Sequence, residues 1–211
     1  LFTPPSLADA PDGTKGAFNQ PGANGAANIP GGATVDPETG MFYVASERGH
    51  SVLSLVPGPE RGSNAGYVSM GPGGIRGPQG LEIFKPPYGS VVAIDLKVGD
   101  LTWRIPNGDT PDSVKNHPAL KDVELPRTGK RSHATILVTK SLLYYGEGRS
   151  GAPLFHAVDK ATGQELGTVE LPAPTNTAPM TYLHEGRQYI IVAVGGPGSP
   201  GELVALTLPE D

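Results

Sequence analysis

The sequence predicts an all-β protein made of repeated units with short strands. Of its 211 residues, 30 are glycine and 23 are proline, and they fall between short apolar, β-branched segments. Such alternation is typical of turns that connect many short strands. Helical periodicity is weak along the whole chain, because no window of about a dozen residues carries an apolar stripe at helical spacing without Gly or Pro.

The predicted strands follow one another at short intervals after a leading segment, 1–27, that has no periodicity. We place them at 32–35, 41–46, 90–96, 101–105, 134–138, 142–146, 153–159, 164–171, 178–183, 188–194 and 202–208. Two longer connections interrupt the series, an insertion at 47–87 and a polar segment at 107–130. A loop as long as 47–87 inside a compact domain is usually functional or mobile.

Two hairpins in this series repeat each other, at residues 92–103 and 156–167. They share the pattern Ala-apolar-Asp-x-x-x-Gly, which predicts that Asp95 and Asp159 accept hydrogen bonds from turn amides while the glycine is left-handed. Because a turn cap is needed in every repeat and a catalytic base only once, we interpret both aspartates as structural. Trp103 is predicted to pack against a neighbouring sheet.

Self-similar units of four strands are the signature of β-propeller blades. We divide the chain into blades at 28–106, which contains the insertion 47–87, at 131–171, and at 176–208, which lacks its outer strand. Propellers close with about four to eight blades, so these three cannot form a ring. The chain, 1–211, is therefore predicted to be the C-terminal portion of one propeller domain whose other blades belong to a longer protein. The isolated fragment is predicted to be inactive.

Composition argues against several other classes of protein. Charged residues make up 18% of the chain, the formal net charge is −5, and no cluster of Lys or Arg stands out, which argues against a nucleic-acid partner. Cysteine is absent, so disulfide frameworks and thiolate metal sites are excluded. The five histidines are scattered without the spacing of a metal site, and we assign no metal ligand in this chain.

Several segments carry more sequence information than a generic hairpin repeat requires. They are Lys85-Pro86-Pro87-Tyr88-Gly89-Ser90 before Val92-Ala93-Ile94-Asp95, Trp103 before Gly108-Asp109-Thr110-Pro111, Pro179-Met180-Thr181-Tyr182, and Gly186-Arg187-Gln188-Tyr189-Ile190-Ile191-Val192-Ala193. Together with the segment 28–44, they resemble the PQQ-dependent (quinoprotein) glucose and alcohol dehydrogenase family. The resemblance extends from about Phe2 to Pro209.

This resemblance implies an eight-bladed propeller that binds pyrroloquinoline quinone (PQQ) and Ca²⁺ near its axis. It implies oxidation of an alcohol, sugar or polyol by hydride transfer to the quinone, with electrons passed on to a quinone or cytochrome acceptor in the periplasm. A divalent ion polarises the quinone carbonyl and makes it a better hydride acceptor. The general base and most metal ligands of the family lie in upstream blades, so no catalytic residue is assigned in this chain.

Four residues are candidate cofactor contacts. Asn28 is carried over from the family as a contact whose side-chain amide donates to a quinone carbonyl. By the same resemblance, loops that enter the innermost strand of a blade lie near the axis, which places Arg131, His133 and Asn176 close to the mouth of the site. Arg131 suits a carboxylate of the quinone. The alternative for each of the four is an ordinary loop residue.

Two positions depart from the family pattern. Ile29 follows Asn28 where members commonly have Trp, and Gly195-Gly196-Pro197-Gly198 stands where glucose-oxidising members often have Gly-Gly-His-Gly. These departures argue against glucose as the substrate. A non-catalytic propeller that serves as a scaffold or protein-binding module is the alternative hypothesis, since such a ring needs the hairpin repeat but not the connecting sequences.

Overall fold

The computed structural model describes residues 4–21, 25–27 and 31–209, without the side chains of 71–73. Its strands are β1 (Ser6–Leu7), β2 (Ala17–Asn19), β3 (Ala26–Ala27), β4 (Ala33–Asp36), β5 (Met41–Glu47), β6 (Ser51–Pro57), β7 (Tyr67–Gly73), β8 (Gly89–Asp95), β9 (Asp100–Pro106), β10 (Thr135–Val138), β11 (Leu142–Gly146), β12 (Leu154–Asp159), β13 (Glu165–Glu170), β14 (Met180–His184), β15 (Arg187–Gly196) and β16 (Ser199–Leu206). The helical segments are one turn of α-helix, α1 (Asp112–Lys115), and the 3-10 turns Pro59–Arg61, Pro78–Gly80 and Pro118–Leu120.

These elements form two compact units, which we call the insertion unit and the sheet unit. The insertion unit comprises the described residues of Leu1–Ala26 and Arg48–Lys85. The sheet unit comprises the described residues of Ala27–Glu47 and Pro86–Asp211. The insertion predicted at 47–87 therefore supplies most of a separate unit.

The insertion unit is a small sheet built around β6. This strand pairs in antiparallel fashion with β2 and β7 and in parallel fashion with β1. The expectation of a long connection without strands at 47–87 is wrong for residues 51–57 and 67–73, which are β6 and β7. Local patterns do not predict these two strands, because β6 pairs with partners as far away as residues 6–7 and because Gly and Pro interrupt β7.

The sheet unit contains three antiparallel sheets whose strands follow one another in chain order. In the first sheet, β5 pairs with β4 and β8, and β8 pairs with β9. The second sheet has the order β10-β11-β12-β13, and the third has the order β14-β15-β16. The all-β prediction is confirmed, and every predicted strand overlaps an observed one in this unit.

Successive sheets of this unit pack face to face through two buried apolar clusters. Between the first and second sheets the cluster consists of Tyr43, Ala45, Val91, Ala93, Trp103, Ala134, Ile136, Leu143, Tyr145 and Val158. Between the second and third sheets it consists of Phe155, Leu171, Ala173, Ile190, Val192 and Val194. Members that share a strand are two residues apart, because successive side chains of a strand point to opposite faces.

Three turns of the sheet unit repeat the predicted aspartate cap. The carboxylates of Asp36, Asp95 and Asp159 each accept a hydrogen bond from the backbone N–H two residues later, at 3.1, 2.8 and 2.9 Å respectively. Gly99 and Gly163 follow with φ of 79° and 74°, the left-handed region that glycine adopts without strain. The structural role predicted for Asp95 and Asp159 is confirmed.

Trp103 packs on a turn of the second sheet, as predicted. Its Nε1–H donates to the Lys160 carbonyl oxygen at 3.1 Å, and the Tyr43 hydroxyl donates to the same oxygen at 3.0 Å. The Lys160 Nζ lies 2.6 Å from Asp36 Oδ2. Hydrogen bonds from Lys160 and Thr39 hold the pKa of Asp36 at about 2. These contacts hold the first sheet against the second at the edge opposite the ends of β9 and β11.

Candidate functional site

The candidate site lies at one edge of the sheet unit, where several strands end and others begin. This edge, which we call the entry edge, is formed by the loops 106–110, 130–134, 147–153 and 171–179. Strand pairing brings them together, since the end of β9 lies beside the start of β8, and the end of β11 lies beside the starts of β10 and β12. Side chains that are far apart in sequence therefore meet along this edge.

Glu47 and His133 link the first sheet to the loop before β10. Glu47 is the last residue of β5, and only 6% of its side chain is exposed. Its Oε1 accepts a hydrogen bond of 2.6 Å from the His133 N–H and lies 3.5 Å from His133 Nδ1. His133 has a φ of 60°, which is unusual for a residue with a side chain. A buried carboxylate thus holds His133 in a conformation that the chain alone disfavours.

Asn107 is a second link, and it joins three loops. Its N–H donates to Gly89 O at 2.9 Å, and its carbonyl oxygen accepts from the Lys130 N–H at 2.7 Å. Its Nδ2 donates to Ser132 Oγ at 2.9 Å and to Glu147 O at 3.2 Å. Its Oδ1 is buried and has no hydrogen-bond partner among the described residues. The interior of the entry edge therefore contains one unsatisfied acceptor.

The loops 130–134 and 147–153 are in close backbone contact. The Ser132 hydroxyl donates to Glu147 O at 2.5 Å. Gly148 has a φ of 89°, and a Cβ built on it would lie 2.0 Å from the Ser132 carbonyl oxygen. Only glycine meets both the conformational and the spatial requirement, so this contact fixes Ser132 and the residues beside it.

Glu147 is a buried carboxylate whose charge is stabilised by its neighbours. Its Oε2 accepts from the Ala152 N–H at 2.9 Å, and His156 Nε2 lies 3.3 Å from its Oε1. Burial raises the pKa of the Glu147 carboxyl, but the hydrogen bonds from His156 and Ala152 outweigh burial, so its pKa lies below the usual value. On the other side of the ring, His156 Nδ1 lies 2.9 Å from Glu165 Oε2. Burial also raises the pKa of Tyr145, which stacks on His156, to about 12.

The loop before β14 reaches the same edge through Thr175. The buried hydroxyl of Thr135 donates to Thr175 Oγ1 at 3.1 Å, and this oxygen also accepts from the Gly148 N–H at 3.1 Å. Asn176 follows and is exposed, with its Nδ2 donating to Gly195 O at 3.0 Å. The third sheet is thereby tied to the second at the entry edge.

Three of the four predicted cofactor contacts lie in the described part of the chain. Arg131 and His133 share the loop before β10, where Arg131 is half-buried. Asn176 belongs to the loop before β14, and its backbone N–H and Nδ2 donate to carbonyl oxygens of β15. Asn28 lies outside the described residues. The structure therefore groups Arg131 with His133, and the roles of all four residues stay predictions.

The sequence patterns did not predict a role for Glu47, Asn107 or Glu147. One signal was available, because Glu47 and Glu147 stand at equivalent places, where the second strand of a sheet reaches the entry edge. An acid that recurs at the end of an apolar strand indicates a buried carboxylate with a specific partner. Nothing local marks Asn107, because the partners of its side chain lie 25 and 40 residues further along the chain.

Arg131 and His133 bring hydrogen-bond donors to the entry edge. Within residues 4–21, 25–27 and 31–209, no three or more His, Asp or Glu side chains are grouped to hold a metal ion. Over the same ranges, no helix is long and apolar enough to cross a bilayer. The guanidinium of Arg131 and the imidazole of His133 instead suit an anionic ligand that accepts hydrogen bonds.

Comparison with known proteins identifies a family. Residues 1–190 match the family model described as PQQ: glucose/ethanol/alcohol dehydrogenase, β-propeller domain. The chain is 27% identical to a probable quinate dehydrogenase (quinone) of Xanthomonas campestris pv. juglandis, over 94% of this chain and 28% of that protein. It is also 27% identical to the quinoprotein glucose dehydrogenase of Escherichia coli (strain K12), over 100% of this chain and 28% of that protein. The chain thus spans little more than a quarter of these relatives.

Solved structures agree on the fold. A quinohemoprotein alcohol dehydrogenase from Comamonas testosteroni has a TM-score of 0.60 at 21% identity, over 95% of this chain and 29% of that protein. A europium-containing methanol dehydrogenase has a TM-score of 0.57 at 22% identity, over 85% of this chain and 26% of that protein. The similarity to these structures confirms a partial propeller. With most of its length matched by the family model, the chain belongs to the PQQ-dependent glucose/ethanol/alcohol dehydrogenase family, as part of its β-propeller domain.

Proposed function

We propose that this chain contributes part of a PQQ-dependent dehydrogenase that oxidises alcohols, sugars or polyols. The observation that carries the proposal is the family match over residues 1–190. Two relatives that align with most or all of the chain are named as dehydrogenases of quinate and of glucose. Because the chain spans 28% of each of them, we assign the substrate and the complete active site to the complete gene product.

The donor set of the entry edge fits the cofactor of this family. When bound, PQQ supplies a quinone that accepts a hydride, and Ca²⁺ polarises that quinone. PQQ also carries carboxylates, and the guanidinium of Arg131 can donate two parallel hydrogen bonds to such a group. His133 adds a ring N–H two residues further on. Asn28 and Asn176 are proposed to add amide donors.

This chain's residues hold those donors in place. Asn107 and the Glu147 carbonyl oxygen fix Ser132, and Glu47 fixes His133. Arg131 is therefore carried by a segment that is anchored directly after it. By the family resemblance, the general base and the Ca²⁺ ligands are proposed to come from blades outside this chain.

The three sheets of the sheet unit are proposed to be successive blades with the bounds 28–106, 131–171 and 176–208. Their antiparallel, sequential strand order supports this assignment. The third sheet has three strands, so a fourth is proposed to come from another part of the propeller. We further propose a periplasmic location and a quinone or cytochrome as the electron acceptor.

The proposal is tested by titrating PQQ with Ca²⁺ into the complete gene product in a calorimeter, beside a dye-linked dehydrogenase assay with alcohols, sugars and polyols. We expect binding and turnover by the complete protein, and no turnover by residues 1–211 alone. If the complete protein neither binds PQQ nor reduces the dye with any of these substrates, it has the family fold but not the proposed activity.

A matched pair of variants then tests the donor set. Arg131→Gln should weaken PQQ binding by at least about tenfold, because it removes a charged donor to a carboxylate. Arg104→Gln is the control, since Arg104 is exposed on β9, the outer strand of the first sheet, and belongs to none of the entry-edge loops. If the two variants bind PQQ equally well, Arg131 does not contact the cofactor.

A further inference from the structure

We propose that Glu47 is a positioning residue for the segment Arg131–His133, and that it acts by accepting the backbone N–H of His133. The inference rests on the proposed function, because that segment is the proposed anchor of the cofactor. Glu47 itself touches no cofactor in this proposal. Its effect is transmitted through the 2.6 Å hydrogen bond to His133, 86 residues further along the chain.

The burial of Glu47 indicates that its carboxylate has a specific partner. A buried carboxylate costs free energy unless strong hydrogen bonds compensate it. An apolar side chain at this place would leave the His133 N–H without its acceptor, because removing one partner of a buried hydrogen bond leaves the other unsatisfied. A carboxylate at the buried end of β5 is therefore better explained by the specific acceptor that it provides.

The conformation of His133 explains why an acceptor is needed at this position. A left-handed φ of 60° is a strained conformation for histidine, and such strain persists only where the surroundings hold it. Ser132 is held on one side by Asn107, and Thr135 on the other by strand pairing with β11. Glu47 holds the strained residue between them, so it sets the path of the backbone out of the cofactor segment.

Comparison with Glu147 shows that this contact is specific. Glu147 occupies the equivalent place in the second sheet, but its carboxylate contacts Ala152 and His156 of its own sheet. Glu47 instead reaches the loop of the next sheet. The carboxylate of Glu47 thus connects its own sheet to the proposed cofactor segment, whereas the carboxylate of Glu147 accepts from the Ala152 N–H and lies beside His156.

The test uses two substitutions in the complete gene product. Glu47→Met keeps the side-chain volume but removes the acceptor, whereas Glu47→Gln retains an acceptor oxygen. Glu170→Met is the matched control, because Glu170 is exposed at the end of β13. We measure PQQ affinity by calorimetry with Ca²⁺ present, amide hydrogen exchange at residues 131–134, and the thermal midpoint.

We expect Glu47→Met to stay folded, to weaken PQQ affinity about tenfold and to accelerate exchange of the His133 amide, with a thermal midpoint lowered by a few degrees at most. Glu47→Gln should bind within about threefold of the wild type, and Glu170→Met should match the wild type. If the wild type binds PQQ and Glu47→Met binds equally well, the inference alone is wrong. The inference is also wrong if Glu47→Gln loses as much PQQ affinity as Glu47→Met, or if Glu47→Met unfolds. If the wild type does not bind PQQ, the proposed function fails as well.

Discussion

The sheet unit and the insertion unit bury very different side chains. The sheet unit encloses large apolar residues completely, among them Leu143, Tyr145 and Val158. In the described part of the insertion unit, Ala17 is the one buried hydrophobic residue, and Tyr67 stays 56% exposed. The sheet unit therefore gains most of its stability from apolar surface removed from water, which the insertion unit largely lacks.

The insertion unit relies on strand pairing and on a small aromatic group. The Phe18 ring stacks on His50 with centroids 5.6 Å apart, and Phe84 contacts both rings. The buried residues of β6 include Ser51 and Ser54, which bring little apolar area. Segments with few buried apolar contacts open at lower free energy than a packed core. The comparison thus teaches that repeated sheets stabilise one another by burying apolar faces, whereas the described residues of the inserted sheet bury few apolar side chains.

The largest expected difference between the units is the stability lost when a leucine is replaced by alanine. Leu143→Ala in β11 should reduce the free energy of unfolding by about 3 kcal/mol, because it leaves a cavity in a fully buried cluster. Leu53→Ala in β6, where the side chain is half-buried, should cost about 1 kcal/mol. Denaturant unfolding, detected by hydrogen exchange in each unit, measures both losses of stability. Equal losses would contradict the comparison.

Glycines in left-handed conformations give the next largest difference. Gly148→Ala should cost about 2 kcal/mol, because the new Cβ meets the Ser132 carbonyl oxygen and the backbone is strained. Gly62→Ala in the insertion unit has a similar φ of 69° but open space around it, so about 1 kcal/mol is expected. Thermal unfolding of the two variants separates the steric cost from the conformational one. A Gly62 variant as unstable as the Gly148 variant would show that the close contact costs nothing.

The docking of Trp103 predicts a smaller effect. Trp103→Phe should destabilise the sheet unit by about 1 kcal/mol, since it removes the donor to the Lys160 carbonyl oxygen. Tyr67→Phe, at an exposed position of the insertion unit, should change stability by less than about 0.5 kcal/mol. Chemical denaturation resolves the two values, and an unaffected Trp103 variant would argue against the fastening role of this hydrogen bond.

The smallest effect is confined to acid. The folded pKa of Asp36 is about 2, below the value of about 3.9 in an unfolded chain, so its stabilisation is present above pH 4 and is lost as pH falls through about 2. In the insertion unit, hydrogen bonds from the Thr14 hydroxyl and N–H lower the pKa of Asp12 to a smaller extent. The difference in stability between wild type and Asp36→Asn should therefore narrow between pH 4 and 2. It should narrow more than the difference between wild type and Asp12→Asn. A difference as large at pH 2 as at pH 4 would contradict the pairing with Lys160.

Local patterns predicted much of the sheet unit. The bounds of β11, the caps at Asp95 and Asp159 and the docking of Trp103 follow from alternation and turn chemistry within a few residues of each position. The loop that carries Arg131 and His133 was also placed correctly, directly before β10. Its anchors were not predicted, because Glu47 contacts His133 across 86 residues, and the position of an acid at a strand end does not reveal so distant a partner.

By itself, the sequence determined the all-β class, the repeated hairpins and the family, because each depends on residue type and short-range spacing. The tertiary structure alone decided that residues 48–85 join the N-terminal segment in a unit of their own, and that Glu47 and Asn107 anchor the segment around Arg131. The physical reason is the range of the interactions. Turns and strand alternation are decided by neighbours in the chain, whereas buried hydrogen bonds between sheets exist only once the sheets have packed.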